Sequence, residues 1–429
     1  MEGAALIGLC GIFLLLVILF LLAIPVGFAM ALVGMLGISY LVSPKVAIST
    51  AVSAAWTTFS SYGFSAIPLF VLMGAIVFRC GISERMFECA YRWMGHKKGG
   101  LAVSTLLACA GFAAVCGSNT ATAATMSTVV IPEMKRYKYG PVLTGGVIAC
   151  GSTLGVVIPP SIVLIVYGLY TGQPISKLFI GSIVPGVMLT FLFIAVVWLI
   201  VWRRPQVAPA GPIFTWTQRI KALRGTLEVM AIFALLMGGL YKGWFTPTEA
   251  GGAGTLFSIL VAAISGKLGF RKFLQAIDDT LRLTGMVLMI LFGALVFGKF
   301  ITLSGLPQFV ASEIMRIGVS RWILFGVLMV IYIIGGAIMD ALAFLLVTLP
   351  IVFPIALLNN IDPIWFGIWL NILTTMGAVT PPVGVNAYIV GSIDPEITLN
   401  HVFRGVFAFL PAYIICLILI IIFPQLVIT

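Results

Sequence analysis

The stretch Gly151-Ser-Thr-Leu-Gly-Val-Val-Ile-Pro-Pro-Ser161 lies inside one long apolar run, and Thr374-Thr-Met-Gly-Ala-Val-Thr-Pro-Pro382 lies inside another. In each, glycine frees the backbone and a proline pair removes donors and stops the helix, which leaves carbonyls unpaired beside hydroxyl oxygens. Non-helical backbone at membrane depth is tolerated only where it is buried in protein or lines a polar cavity. The two stretches are also related to each other. Sliding the chain on itself by 222 residues (381 − 159) superposes Pro159-Pro160 on Pro381-Pro382, Gly155 on Gly377, Gly145 on Gly367, Pro132 on Pro354 and Pro25 on Pro247. An offset of 219 (293 − 74) places Gly74-Ala-Ile-Val-Phe78 on Gly293-Ala-Leu-Val-Phe297. The chain therefore reads as two copies of one unit, 1–204 and 226–429, joined by a connection over 205–225.

The surroundings of these stretches define the class. Of 429 residues, 61% are hydrophobic and 9% charged, where a soluble protein carries about 25% charged residues. Apolar runs such as Leu6 to Leu22, Ile183 to Val201, Ile323 to Ile338 and Ala408 to Pro424 approach the ~20 residues that cross a bilayer as a helix. Strand-like alternation is absent, which excludes a β-barrel. The expected fold is an all-α polytopic membrane protein. The net charge of +11 does not indicate nucleic acid, because the basic residues sit in short clusters between apolar runs, the pattern of the positive-inside bias. Seven cysteines without a CxxC pair and two histidines, His96 and His401 at predicted loops, indicate neither a disulfide framework nor a metal cluster.

Basic clusters orient the copies. With Arg79 to Lys98 in the cytoplasm, residues 99–134 form two short apolar arms around the polar tip Gly117-Ser-Asn119, and the exit meets Lys135, Arg136 and Lys138. Arms of about 15 residues reach roughly 23 Å, too little to cross comfortably. This is the pattern of a re-entrant hairpin open to the cytoplasm. The chain then crosses through a broken helix over 141–170 and returns to Arg203-Arg204. In the second copy the hairpin at 322–354 opens to the outside and is followed by a broken helix over 364–392. The trace places Lys45, Lys177, Lys242, Lys299, Arg316 and Arg321 outside and the other 18 basic residues (24 − 6) inside. The copies are thus inverted repeats. The amphipathic segments Ser83 to Lys98 and Pro307 to Arg321 read as helices along the membrane surface before each hairpin.

Four places concentrate irregular backbone and oxygen atoms: the tips Cys116-Gly-Ser-Asn-Thr120 and Gly335-Gly-Ala-Ile-Met-Asp340, and the two helix breaks. A tip and a break in each copy could form a site for a small hard cation such as Na+, and half-helix N-termini there favour an anion as substrate. Asp340, an acid within an apolar run, aligns with Ser118 under the 222 offset and is expected to serve the cation. Glu133 reads as an interfacial residue in local ion pairs, and Phe245-Thr-Pro-Thr-Glu249 as a helix cap. No Ser–His or paired-Asp set lies at depth, so an enzyme is not expected.

Cys116-Gly-Ser-Asn-Thr-Ala-Thr122, Ile131-Pro-Glu-Met134, Gly151-Ser-Thr-Leu-Gly155 with Ile158-Pro-Pro-Ser161, Phe245-Thr-Pro-Thr-Glu-Ala250, and Gly377 with Thr380-Pro-Pro-Val-Gly-Val-Asn386 occur in order along essentially the whole chain. Together they resemble the large membrane subunit of the tripartite ATP-independent periplasmic (TRAP) transporters. The resemblance implies a secondary transporter of the bacterial or archaeal inner membrane, driven by a Na+ gradient with two or more Na+ per cycle. It implies an elevator movement, a separate small four-helix membrane subunit and a periplasmic substrate-binding protein that delivers an organic acid. By motif match, Na+ would be held by Ser118, Asn119, Gly151 and Gly155, and by Gly336, Asp340, Thr375, Gly377 and Thr380. The substrate would lie near Asn119, Thr120, Ser152, Ser161, Pro382 and Asn386. The second tip has Asp340-Ala-Leu where the first has Ser118-Asn-Thr, which lessens its side-chain polarity. The rival reading is a stand-alone proton-coupled organic-anion carrier with parallel halves, which lacks re-entrant hairpins.

Overall fold

The structure, a computed structural model, describes residues 2–22 and 24–427, and among these no strand occurs. The first half runs through α1 (Glu2–Leu22), α2 (Val26–Leu41), α3 (Pro44–Ser60), α4 (Ala66–Arg79), α5 (Ile82–Met94), α6 (Gly100–Cys116), α7 (Asn119–Arg136), α8 (Pro141–Val157), α9 (Ile162–Thr171) and α10 (Ile175–Arg203). The second comprises α11 (Trp216–Tyr241), α12 (Pro247–Ile264), α13 (Phe270–Leu303), α14 (Leu306–Ile317), α15 (Arg321–Gly336), α16 (Ala341–Leu358), α17 (Pro363–Gly377), α18 (Val385–Ile393) and α19 (Leu399–Ile422). Nine helical segments among the described residues are long and apolar enough to cross a membrane. The all-helical membrane fold expected from composition is therefore present.

Local chemistry sets the ends of these elements. Thr246 and Glu249 exchange bonds in a capping box that starts α12, as the Thr-Pro-x-Glu spacing requires. A second box, Thr215 with Gln218, starts α11. That helix consequently begins at Trp216, inside the stretch 205–225 read as connection. The signal there is a Thr-x-x-Gln spacing without the proline that marks the other box. His401, placed in a loop by its polarity, lies in the first turn of α19 with Nδ1 3.2 Å from Thr398 Oγ1.

Packing places the broken helices at the centre. The apolar window of Pro141–Thr171 is 100% buried within the protein, against 28% for Gly3–Leu22, so α8 and α9 are inner elements and α1 an outer one. Around them α2 packs on α13, α4 on α12, α8 on α19 and α10 on α17. Exchanging the halves carries the first of these pairs onto the second and the third onto the fourth. Several close approaches between helices are backbone to backbone. A Cβ on Gly146 would stand 2.6 Å from the Gly405 carbonyl carbon, and one on Gly34 2.8 Å from Phe297 N.

The turns that leave the two hairpin segments also correspond. Lys138 (φ 56°) and Asn360 (φ 52°) are the non-glycine residues with positive φ among the described residues, and they lie 222 apart (360 − 138). Each closes a helix C-terminus: Tyr139 N–H donates to Met134 O at 2.9 Å and Ile361 N–H to Ala356 O at 3.0 Å. Left-handed backbone costs a residue with a Cβ roughly 1–2 kcal/mol, which glycine's greater chain entropy only partly offsets. Lys138→Gly is therefore expected to raise stability by up to about 1 kcal/mol, read as a higher melting temperature in detergent. A lower one would refute the strain.

Two devices hold the base of the first hairpin. The connection between the halves folds back on it, with Gly99 N–H donating to Ala208 O at 3.1 Å and Gly140 N–H to Val207 O at 2.9 Å. At the end of α7, Lys135 Nζ lies 3.1 Å from Asp394 Oδ2 and 2.9 Å from Glu396 Oε1, while Glu133 pairs with Arg136 at 3.7 Å. The Glu396 backbone N–H and then Lys135 hold the Asp394 carboxyl below its usual range, and Glu396 and Asp394 raise Lys135 above its own. A depressed carboxylate contributes stability that is present above its unfolded pKa of about 3.9 and is lost as pH falls through the folded value. The raised lysine contributes below its unfolded pKa of about 10.4 and loses this as pH rises through the folded value. The clasp therefore operates between these limits. Thermal melts are expected to fall on acidification below about pH 4, less so for Lys135→Met. An unchanged acid limb in that variant would show that the clasp contributes nothing.

Candidate ion and substrate site

Each hairpin turns where the sequence places its polar tip. Gly117 takes φ +66° to end α6, and Ser118 caps α7, its Oγ accepting from Ala121 N–H at 3.4 Å. The corresponding residue of the second hairpin, Asp340, caps α16 by accepting from Leu342 N–H at 3.0 Å. Serine and aspartate thus do the same local work 222 residues apart (340 − 118), and Asp340 brings a carboxylate besides.

Tip and break are joined in the same way in both halves. Gly117 O accepts from Ile162 N–H at 3.3 Å, the first residue of α9. Ala337 O accepts from Val383 N–H at 3.1 Å and Gly384 N–H at 3.0 Å, just before α18. The proline pairs Pro159-Pro160 and Pro381-Pro382 are both cis. Close approach requires glycine at these crossings. A Cβ on Gly155 would meet Thr122 Oγ1 at 2.6 Å and Ser118 O at 2.7 Å, and one on Gly377 would meet Tyr332 O at 2.6 Å and Gly336 Cα at 2.7 Å.

The expected cation ligands fall into two groups. Around the first tip the structure brings Ser118, Asn119 and Gly155 together, while Gly151 packs one turn earlier against Cys109 and Leu106 of α6. Around the second, Gly336 and Gly377 touch, and Asp340 lies beyond the short turn that follows Gly336. Thr375 Oγ1 donates to Ile372 O at 2.7 Å and Thr380 Oγ1 to Met376 O at 2.7 Å. Their hydroxyl protons are spent within the helix and their lone pairs remain as acceptors. The donor set is oxygen throughout, with one carboxylate, which suits a small hard cation.

The two tips meet. Ser118, Asn119, Thr120 and Asp340 line one small cavity of about 40 Å³, together with Ile162 and Val163 of α9. The N-termini of α7, α9 and α16 therefore border a single space, and helix N-termini favour negative charge. Asn119 Oδ1 accepts from Thr120 N–H at 2.9 Å, while its buried Nδ2 has no partner. That leaves an amide donor for an anion. The other expected substrate residues, Ser152, Ser161, Pro382 and Asn386, do not line this space. Ser161 caps α9, accepting from Leu164 N–H at 3.3 Å. Pro382 is exposed at the second break. Ser152 and Asn386 are buried against each other, Asn386 Nδ2 donating to Ser152 Oγ at 3.1 Å across the halves.

One residue escapes reading by repeat or motif. Asn371 of α17 donates Nδ2–H to Val156 O at 2.9 Å and is 1% exposed. In an unbroken helix that carbonyl would take the N–H of residue 160, which is proline and has none. The repeat aligns Asn371 with Ala149 and so does not mark it. Its only signal is an amide alone in the apolar run Pro363–Gly377.

Irregular backbone at two joined hairpin tips, among long apolar helices and with no strand among the described residues, is the pattern of a membrane transporter. Residues 13–426 match the family described as the tripartite ATP-independent periplasmic transporter, DctM component. The C4-dicarboxylate TRAP transporter large permease protein DctM of Pseudomonas aeruginosa is 32% identical over 385 residues, covering 90% of this chain and 89% of that protein. The 2,3-diketo-L-gulonate TRAP transporter large permease protein YiaN of Escherichia coli is 30% identical, covering 86% of each. Among solved structures, the YdaH transporter of Alcanivorax borkumensis, reported to have an unusual topology, shares the fold with a TM-score of 0.59 at 13% identity, covering 89% of each chain. The chain belongs to the DctM component family of TRAP transporters and is a multi-pass inner-membrane protein. That family is one of transporters rather than enzymes.

Proposed function

We propose that this chain imports a small organic acid anion by Na+ symport, receiving it from a periplasmic binding protein and working beside a small membrane subunit. The observation that carries the reading is the single cavity between the two tips, where the unpartnered Asn119 amide and three helix N-termini suit an anion and the oxygen sets behind each tip suit Na+. Relatives whose names specify a C4-dicarboxylate and 2,3-diketo-L-gulonate support a carboxylate as the class. The two halves act as inverted repeats, and the bodies α6–α9 and α15–α18 move as an elevator against a frame that includes α4 and α13. Glycines on that frame support such sliding: a Cβ on Gly74 would meet Cys116 Cα at 3.0 Å, and one on Gly298 would meet the Tyr170 hydroxyl at 2.6 Å. The test is uptake into proteoliposomes holding this chain, its small subunit and its binding protein. The acid is chosen by thermal shift of the binding protein against succinate, malate, pyruvate, gluconate and isethionate. Uptake is expected only with an inward Na+ gradient; uptake driven by a pH gradient without Na+ would overturn the coupling.

A further inference from the structure

A second cavity, of about 200 Å³, runs from the tip residue Ser118 along one face of α4 to Arg79. Val71, Gly74, Phe78 and Arg79 share that face, so the cleft extends over eight residue steps (79 − 71), about 12 Å at 1.5 Å per residue. Ser118 and Leu283 line both this cleft and the cavity between the tips, which makes the two spaces neighbours. Its charged wall is Arg79 with Asp279 of α13. Arg79 Nε and Nη2 lie 2.8 Å and 2.7 Å from the same oxygen, Asp279 Oδ2. Of the five guanidinium N–H groups, three are thus uncommitted to Asp279. The side chains are 31% and 37% exposed, and so exposed a pair contributes little to stability. Stability does not account for an arginine at the mouth of a largely apolar cleft that ends on the tip.

We propose that Arg79 receives the oxyanion of the transported acid, a carboxylate or sulfonate, as it leaves the hairpin tips for the cytoplasm, with Asp279 as the counter-ion it exchanges. This rests on the organic-anion reading above and on the basic end of α4 facing inward. The geometry gives each partner a task. Arg79 offers a fork that an oxyanion fits bidentately. Asp279 competes for the same fork, so the anion is held only briefly, as passage through successive sites requires.

The experiment is uptake and counterflow in the same three-component proteoliposomes, with the acid selected from the panel above. Arg79→Gln is expected to lower the maximal rate at least tenfold while the Na+ concentration for half-activation changes less than twofold, and Arg79→Lys to keep about a third of the rate. Asp279→Asn is expected to make uptake about tenfold more sensitive to inhibition by acid loaded inside. The double variant Arg79→Gln/Asp279→Asn separates this role from mere charge balance. It should be as slow as Arg79→Gln; recovery to the wild-type rate would overturn the proposal, as would a wild-type rate in Arg79→Gln alone. Counterflow with equal Na+ on both sides keeps the test independent of coupling. If wild-type uptake proves indifferent to a Na+ gradient, the symport reading fails while the comparison of Arg79 variants still decides.

Discussion

Asp340→Ser is expected to leave the protein folded and to raise the Na+ concentration for half-maximal uptake at least tenfold. The first hairpin supplies the reasoning, because Ser118 there caps α7 in the position that Asp340 occupies at α16. Serine and aspartate are nearly equal as N-caps, whereas alanine at such a position costs about 1 kcal/mol. The substitution therefore removes the carboxylate and keeps the cap. Interactions with a charged group are worth about 1.5–3 kcal/mol, and 1.4 kcal/mol is tenfold in affinity. Asp340→Ala should show the same Na+ defect with an added loss of stability near 1 kcal/mol. The measurement is uptake against Na+ concentration, with a thermal melt of each variant. Wild-type Na+ activation in Asp340→Ser would remove Asp340 from the cation site and leave it a cap.

What the sequence made legible was the local punctuation. Gly117 with Ser118, the two proline pairs and the box of Thr246 with Glu249 act within a few residues, so their effect is written beside them. Helices α6–α7, α15–α16, α8–α9 and α17–α18 occupy the stretches 99–134, 322–354, 141–170 and 364–392 to within a few residues. Contacts across the halves were not legible. Ser152 and Asn386 were singled out separately, yet only the fold shows that they bond to each other. The family resemblance groups Gly151 with Gly155, but one helical turn separates what each faces. The strap formed by Val207 and Ala208 depends on backbone groups, to which side-chain pattern is blind.

Asn371→Leu is expected to destabilise the protein by about 1–3 kcal/mol, the cost of leaving a buried carbonyl without a partner, and to lower uptake with it. The two breaks differ in how they are closed. At the second, the Ala378 carbonyl, orphaned because Pro382 has no N–H, accepts from Asn386 N–H at 3.2 Å, so the chain satisfies itself. At the first, Val156 O relies on Asn371 Nδ2 from the other half. Leucine has the same number of side-chain heavy atoms and carries no donor, so no cavity is left; its larger methyl groups add a packing cost that Asn386→Leu shares, which makes that variant the control. Asn386→Leu loses only the bond to Ser152, whose hydroxyl still donates to Ala149 O at 2.7 Å, and is expected to cost less, about 1 kcal/mol. Amide hydrogen exchange provides the local readout: in Asn371→Leu, protection should fall around residues 154–158 more than around 376–380. Equal losses at the two breaks, or a smaller melting shift for Asn371→Leu than for Asn386→Leu, would show that the first break does not depend on the second half. If the asymmetry holds, the broken helix of one half is held in shape by the other, and a change at α17 reaches the first tip through a single amide.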